Sequence, residues 1–234
     1  MLLTENMLRE GIKDAIDKSV IKKEGKSDKV RKFDESVDVI VNLRDVDFNR
    51  PENKLDVEHL MPHPVRKEGE WNVCFFVNGD LELAAKEKGF SVYNKDDLDN
   101  LQGRTRKEKK EVVKSHDYFV AEAPMMINIA KSLGRLLGRT GKMIKPAPKG
   151  YGIIQPNADI EEVIPNFSRI IRLKMNKPVV QFKIGKKSHN QEDLYDNLNS
   201  VLTRIQQTLP NRAGNIQSIY IKTTMGPSVT VDRD

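Results

Sequence analysis

The strongest constraint on the fold is a change of hydrophobic texture that happens twice along the chain. In "SVDVIVNL", Val37, Val39, Val41 and Leu43 alternate with Asp38, Ile40 and Asn42. That alternation is the pattern of a strand with one buried face. After Pro64 the runs "WNVCFFV" and "DYFVAEAP" are nearly continuous in apolar residues, as expected of strands covered on both faces. Near Pro156 the one-sided texture returns, in "PVVQFKIG", "NIQSIYIKT" and "SVTV". A chain that leaves one architecture and comes back to it is most simply a split domain with an insert. The expectation is an α+β outer domain from residues 1–66 and 158–234, with residues 67–157 inserted as an α/β domain. Hinges are placed near Arg66-Lys67-Glu68-Gly69 and Gln155-Pro156-Asn157.

Helical spacing fills in the rest. Leu3, Met7, Leu8, Ile12, Ala15, Ile16 and Val20 recur on one helical face, with Thr4 as N-cap. "KKEGKSDKVRK" then reads as a charged connector. In the insert, "DLELAAKEKG" and "MMINIAKSLGRLLG" follow the two apolar runs as helices. Between them lie a short strand, "FSVYN", and a charged helix over 96–114. Strand and helix alternate, which predicts a small parallel sheet. Further on, "ADIEEVIPNFSRIIRLKM" reads as a helix kinked or restarted at Pro165. "QEDLYDNLNSVLTRIQQTL" is the clearest helix, with Leu194, Leu198, Val201, Leu202, Ile205 and Leu209 on one face.

Composition narrows the partners. Of 234 residues, 38% are hydrophobic and 32% charged, and no eighteen apolar residues run together. This predicts a soluble protein that uses no membrane and carries no secretory signal. The single cysteine, Cys74, sits inside an apolar run, which fits a packed thiol in a reducing, cytoplasmic setting. From Ala123 to Gln191 there are thirteen Lys or Arg against only Asp159, Glu161 and Glu162. This local +10 leaves −4 for the remainder of a chain whose net charge is +6. Two readings stay open, a solvated face or a surface that meets a polyanion.

Catalytic and metal motifs fail on spacing. His59 and His63 stand at i, i+4, but Pro62 and Pro64 flank the second and no third ligand is nearby. In "GRLLGRTGK" the glycine that a phosphate loop needs five residues before Gly141 is Leu136, and Met143 stands where Ser or Thr should follow Lys142. No cofactor, metal site or enzymatic activity is expected. The alternative, a phosphate-handling or nucleotide-binding enzyme using the α/β insert, rests on fold grounds alone. Aromatics at 6% are too few for stacking platforms along a single strand, whereas folded RNA asks for hydroxyls, close backbone and basic rims. The corner Thr223-Thr224-Met225-Gly226-Pro227 between "IYIKT" and "SVTV" supplies those groups. Thr223 and Thr224 offer hydroxyls to a ribose, and Gly226 removes a side chain. An ordinary hairpin turn would look the same.

Three motifs in order, "KFDESVDVIVNLRDVDF", "AEAPMM…LGRLLGRTGKMIKP" and "SIYIKTTMGPSVTV", resemble the archaeal-type L-one family of large-subunit ribosomal proteins. The likeness spans nearly the whole chain, and Thr-Met-Gly-Pro is its most specific part. It implies an outer domain built by both termini around a Rossmann-like insert. It further implies a cytoplasmic, ribosome-associated protein, monomeric when free, that binds folded ribosomal RNA and forms the mobile stalk at the tRNA exit site. Release of deacylated exit-site tRNA and repression of its own messenger RNA are implied too. Carried onto this chain, RNA contacts fall on Lys32, Phe33, Glu35, Thr224, Met225 and Gly226, with Lys222 and Thr223 as neighbours. Phe33 otherwise reads as a core residue beneath the N-terminal helix. The family's middle motif has two prolines where this chain has Arg139 and Ile144 within Gly138–Ile144, which predicts a looser loop.

If lysines and arginines displace counterions from phosphates, affinity for RNA falls steeply as salt rises. A binding titration from low to moderate salt should give a clearly negative log–log slope. A flat response would contradict the electrostatic reading.

Overall fold

The computed structural model describes residues 4–23, 26–29, 31–67 and 69–231. Glu68 of the first expected hinge lies outside the described residues. In chain order the elements begin with α1 (Glu5–Asp17), β1 (Ile21–Lys23), β2 (Lys26–Lys29), β3 (Ser36–Leu43) and β4 (Leu55–Leu60). Next come β5 (Val73–Phe76), α2 (Asp80–Glu87), β6 (Ser91–Tyr93), α3 (Lys95–Gly103), α4 (Arg106–Ser115) and β7 (Tyr118–Glu122). Then follow α5 (Met126–Ser132), α6 (Gly134–Thr140), β8 (Ile153–Ile154) and α7 (Ile160–Arg169). The chain closes with β9 (Ile170–Met175), β10 (Val179–Lys186), α8 (Gln191–Thr208), β11 (Ile216–Thr223) and β12 (Val229–Val231).

The fold is α/β in two units. One comprises the chain up to Arg66 and from Arg169 onward, the other Lys67–Ser168. The second crossing therefore falls eleven residues later than the expected 157/158 boundary. The physical reason is aromatic: Phe167 on α7 packs edge-on against Phe75 of β5 at 5.8 Å and tilts over Tyr118 of β7. Burial of Phe167 ties α7 to the insert.

In the outer unit, β10-β3-β11-β12 form an antiparallel sheet. Val37, Val39, Val41 and Leu43 are buried and pack with Ile219, Ile221 and the leucine face of α8. The one-sided alternation decides which face α1 and α8 cover. Arg9 of α1 lies over the Tyr195 ring at 4.2 Å and pairs with Glu192, so the two helices are stapled as well as packed. Asn197 of α8, fully buried, donates to Ile184 O at 2.8 Å and accepts from His63 N–H at 2.9 Å. That satisfies a polar group which would otherwise be costly in the core.

"IIRLKM" is not the end of a helix. It forms β9, antiparallel to β4, with Arg172 held by both oxygens of Asp56 at 2.9 and 2.7 Å. Its burial alternates from Ile171 onward, a period of two inside a window too short to outweigh the preceding helical pattern. The connector after α1 contributes the short pair β1 and β2.

The insert is Rossmann-like, with parallel strands in the order β6-β5-β7-β8. Within the two apolar runs, β5 and β7 are buried at every residue, and Cys74 lies in that core, where burial pushes its thiol well above the usual range. The expected 96–114 helix is two helices, because Asn94–Asp97 and Thr105–Glu108 each form a reciprocal capping box. A break at Leu133 likewise separates α5 from α6.

The loop after α6 is held, not loosened. Gly141 caps the helix in the left-handed region at φ 74°. Lys142 Nζ donates to Val113 O and His116 O at 3.1 and 2.5 Å, and Ile144 is buried.

The outer unit should fold without the insert. Met61 N–H donates to Arg169 O at 3.0 Å and the Arg66 guanidinium to Ile170 O at 2.7 Å, so its two cut ends already meet. A chain joining Arg66 to Arg169 through a short glycine linker is expected to melt cooperatively. Non-cooperative melting would show that the outer core depends on the insert.

Candidate nucleic-acid interface

Strand β3 runs between β10 and β11, and its start meets the end of β11. Thr223 pairs with Val37, after which β11 leaves the ladder and turns through residues 224–228 into β12. Two connections clamp this exit: Thr224 N–H donates to Ser36 O at 3.0 Å, and Ser36 N–H donates to Thr224 Oγ1 at 3.0 Å. The hydroxyl thus replaces one rung of the sheet. Its own hydrogen has only a loose partner, Ser36 O at 3.4 Å.

Beneath the turn sits a buried carboxylate. Glu35 is 2% exposed, and its Oε1 accepts from Met225 N–H at 2.9 Å and from the Arg31 guanidinium at 3.0 Å. Arg31 also donates to Met225 O at 3.1 Å and to Ser19 O at 3.4 Å. Both main-chain polar groups of Met225 are therefore held while its side chain stays 60% exposed. The chain before β3 is fixed from the other side. Ser188 donates through N–H and Oγ to Asp34 at 3.2 and 2.7 Å, and Lys187 N–H donates to Glu35 O at 2.8 Å. Between these anchors Lys32 is exposed, and Phe33 projects with 53% of its surface free. The core alternative for Phe33 is set aside by that exposure.

The eight expected residues come together at one end of the sheet, but in two layers. Lys32, Phe33, Thr224 and Met225 form the outward layer. Thr223 and Glu35 are buried, so neither reaches a partner directly. Thr223 Oγ1 instead accepts from Gly226 N–H at 3.1 Å. Gly226 is half-buried, and a Cβ there would collide with Thr223 Oγ1 and press on Ser19 Cα at 3.4 Å. The turn itself requires the glycine, before any ligand arrives. Lys222 is half-buried opposite Asp38 of β3. Burial raises the Asp38 carboxyl above its ordinary range, while Lys183 and Lys222 pull it down. Arg31, Ser19 and Lys187 were missed by sequence reasoning. Only the Arg31–Glu35 spacing carried a local signal.

The histidines do not make a metal pair. His59 lies in β4 with Nε2 2.8 Å from Ser200 Oγ, and burial lowers its pKa. His63 Nε2 is 3.1 Å from Asp196. No metal-binding group of His, Cys, Asp or Glu occurs among the described residues. At the carboxyl ends of β5 and β7, where a doubly wound sheet takes ligands, Glu122 is buried and accepts from Asn78 N–H at 3.0 Å. Asn78 in turn donates to Met125 Sδ and accepts from Lys95 N–H. A buried carboxylate at that position repels a phosphate, which disfavours a phosphate-handling site there.

Glu35→Ala should lower stability by about 1–3 kcal/mol, because the Met225 N–H and the Arg31 guanidinium lose their acceptor. Equilibrium denaturation checks this, and an unchanged midpoint and slope would show that the carboxylate does not brace the turn.

The sequence profile of the Ribosomal protein L1p/L10e family matches residues 20–227. The chain is 33% identical to the "Large ribosomal subunit protein uL1" of Methanothrix thermoacetophila, over 96% of this chain and 100% of that protein. It is 37% identical to the same-named protein of Methanopyrus kandleri, over 86% of this chain and 90% of that one. For Thermofilum pendens the identity is 35%, over 100% and 96%. The chain belongs to the Ribosomal protein L1p/L10e family, a family of non-enzymatic, cytoplasmic, ribosome-associated proteins of the large subunit.

Proposed function

We propose that the chain binds folded large-subunit ribosomal RNA through the corner at the end of the outer sheet. The carrying observation is that Met225 and Phe33 stand exposed on main chain immobilised by Glu35, Arg31 and Asp34. Large apolar side chains held out on a rigid support bind with little ordering entropy still to be lost. They close a contact to water, while the Thr224 hydroxyl donates to a ribose oxygen and Lys32 meets phosphate. This division suits RNA, whose wide minor groove displays the 2′-OH. Thr223, Glu35 and Gly226 hold that surface from beneath, and the outer unit carries the main site.

Bound in this way, the protein would form the mobile stalk at the tRNA exit site and assist release of deacylated tRNA. A messenger segment that folds like the ribosomal target would meet the same corner, which gives repression of the protein's own synthesis. The free protein would be a monomer. These roles rest on family membership together with the exposed corner, which is free to take one RNA or the other.

Two variants test the contact. Phe33→Ala should leave melting unchanged and weaken binding to a large-subunit RNA fragment. Thr224→Val removes the acceptor of Ser36 N–H as well as a donor, so the decisive measurement is a cycle with RNA carrying 2′-deoxy substitutions. Wild type should lose about tenfold to a hundredfold on deoxy RNA, the penalty for an unpaired buried partner. Thr224→Val should be insensitive to the same change. Equal sensitivity of both proteins would show that the turn is only a turn.

A further inference from the structure

The insert carries a second concentration of charge, remote in sequence from the corner. A cleft of about 360 Å³ between α4 and the α5–α6 pair is lined by Arg106, Lys109, Lys131, Arg135 and Arg139. Arg135 and Arg139 stand four residues apart on one face of α6, and Lys131 joins them in the lining from α5. Arg106 and Lys109 face them from α4 at the complementary i, i+3 spacing. No acid lies between Ala123 and Asn157, so α5 and α6 have no carboxylate of their own. Among the described residues no ion pair involves Arg106, Lys131, Arg135 or Arg139, and Lys109 Nζ donates only to Gln102 O at 2.9 Å. Five cations facing one another across an open cleft repel each other. An anion between them would reverse the sign of that interaction.

The shape selects the kind of anion. The 7 residues of α6 extend about 10 Å, room for about three successive phosphates of one strand. The lining offers guanidinium forks suited to phosphate but no aromatic ring to stack on a base, the uncharged members being Ala130, Ser132 and Leu136. Ser132 is already committed, its hydroxyl donating to Asn128 O at 2.8 Å. Nothing there reads a sequence. We infer that this cleft is a second RNA site, which grips the sugar–phosphate backbone of an RNA segment without base specificity. It extends the RNA-binding reading of the corner but stands on different residues in the other unit, so the two can fail separately.

The test uses the full chain and a short RNA duplex of random sequence, followed by fluorescence anisotropy over a salt series. Arg135→Gln with Arg139→Gln should weaken duplex binding about tenfold and make the log–log salt slope shallower by about 0.9 per cation removed. The charge-matched control is Lys86→Gln with Lys88→Gln, on the same unit but paired with Glu82 and Glu161. It should leave both affinity and slope near wild type. Equal loss in the control would mean that net charge alone acts, and would overturn the site. Tripolyphosphate, titrated by calorimetry, separates the remaining source. If it saturates the cleft one to one while the duplex fails to displace it, the site takes a small oligophosphate and the RNA assignment is wrong. Phe33→Ala should leave random-duplex binding unchanged. If it alone abolishes binding to large-subunit RNA, the corner stands even where the cleft fails. If only Arg135→Gln with Arg139→Gln abolishes it, the corner fails instead.

Discussion

The acceptor that Glu35 offers to Met225 N–H governs the site. A carboxylate at 2% exposure is tolerable only when its oxygens are matched by donors, and here an amide and a guanidinium supply them. The consequence runs outward. Because Arg31 also takes Met225 O, the peptide on both sides of that residue is fixed, and the side chain has nowhere to go but into solvent. Because Lys187 N–H holds Glu35 O, the chain carrying Lys32 and Phe33 is fixed to the same frame. Segments almost two hundred residues apart in sequence thus become one surface, and the energy that shapes it is spent inside the protein before a partner arrives.

That frame explains why some of the site was legible and some was not. The alternation of Val37 to Leu43 and the stripe from Leu194 to Leu209 fix the outer core, because each pattern is long enough to exclude the other period. The inward orientation of Thr223 was also available: Ile219, Ile221 and Thr223 share one parity, and all three are buried. Its hydroxyl invited a polar role, yet strand geometry decides the face first. "IIRLKM" misled because six residues beside a strong helix carry too few periods to separate a strand from a turn more of helix. The capping boxes at Asn94 and Thr105 were local signals that the charge-rich run obscured. Ser19 and Lys187 carried no signal at all, since their part comes from long-range hydrogen bonds that no spacing encodes.

Charge and shape are shared unequally by the two units. The outer unit offers few free cations at its corner and a shaped, partly apolar contact, which suits recognition of one RNA fold. The insert offers a cleft of arginines and lysines in which α5 and α6 carry no acid, which suits attraction without reading.

The central claim, that the braced corner is the RNA-binding surface, is tested most directly by methyl NMR on methionine-labelled protein. Met225 is 60% exposed, whereas Met61, Met125 and Met175 are buried, so the resonances respond to different events. Addition of a large-subunit RNA fragment to saturation should shift and broaden the Met225 methyl signal while those of Met61 and Met175, in the same unit, stay in place. A Met225 signal that remains at its free position when the RNA is fully bound would contradict the account.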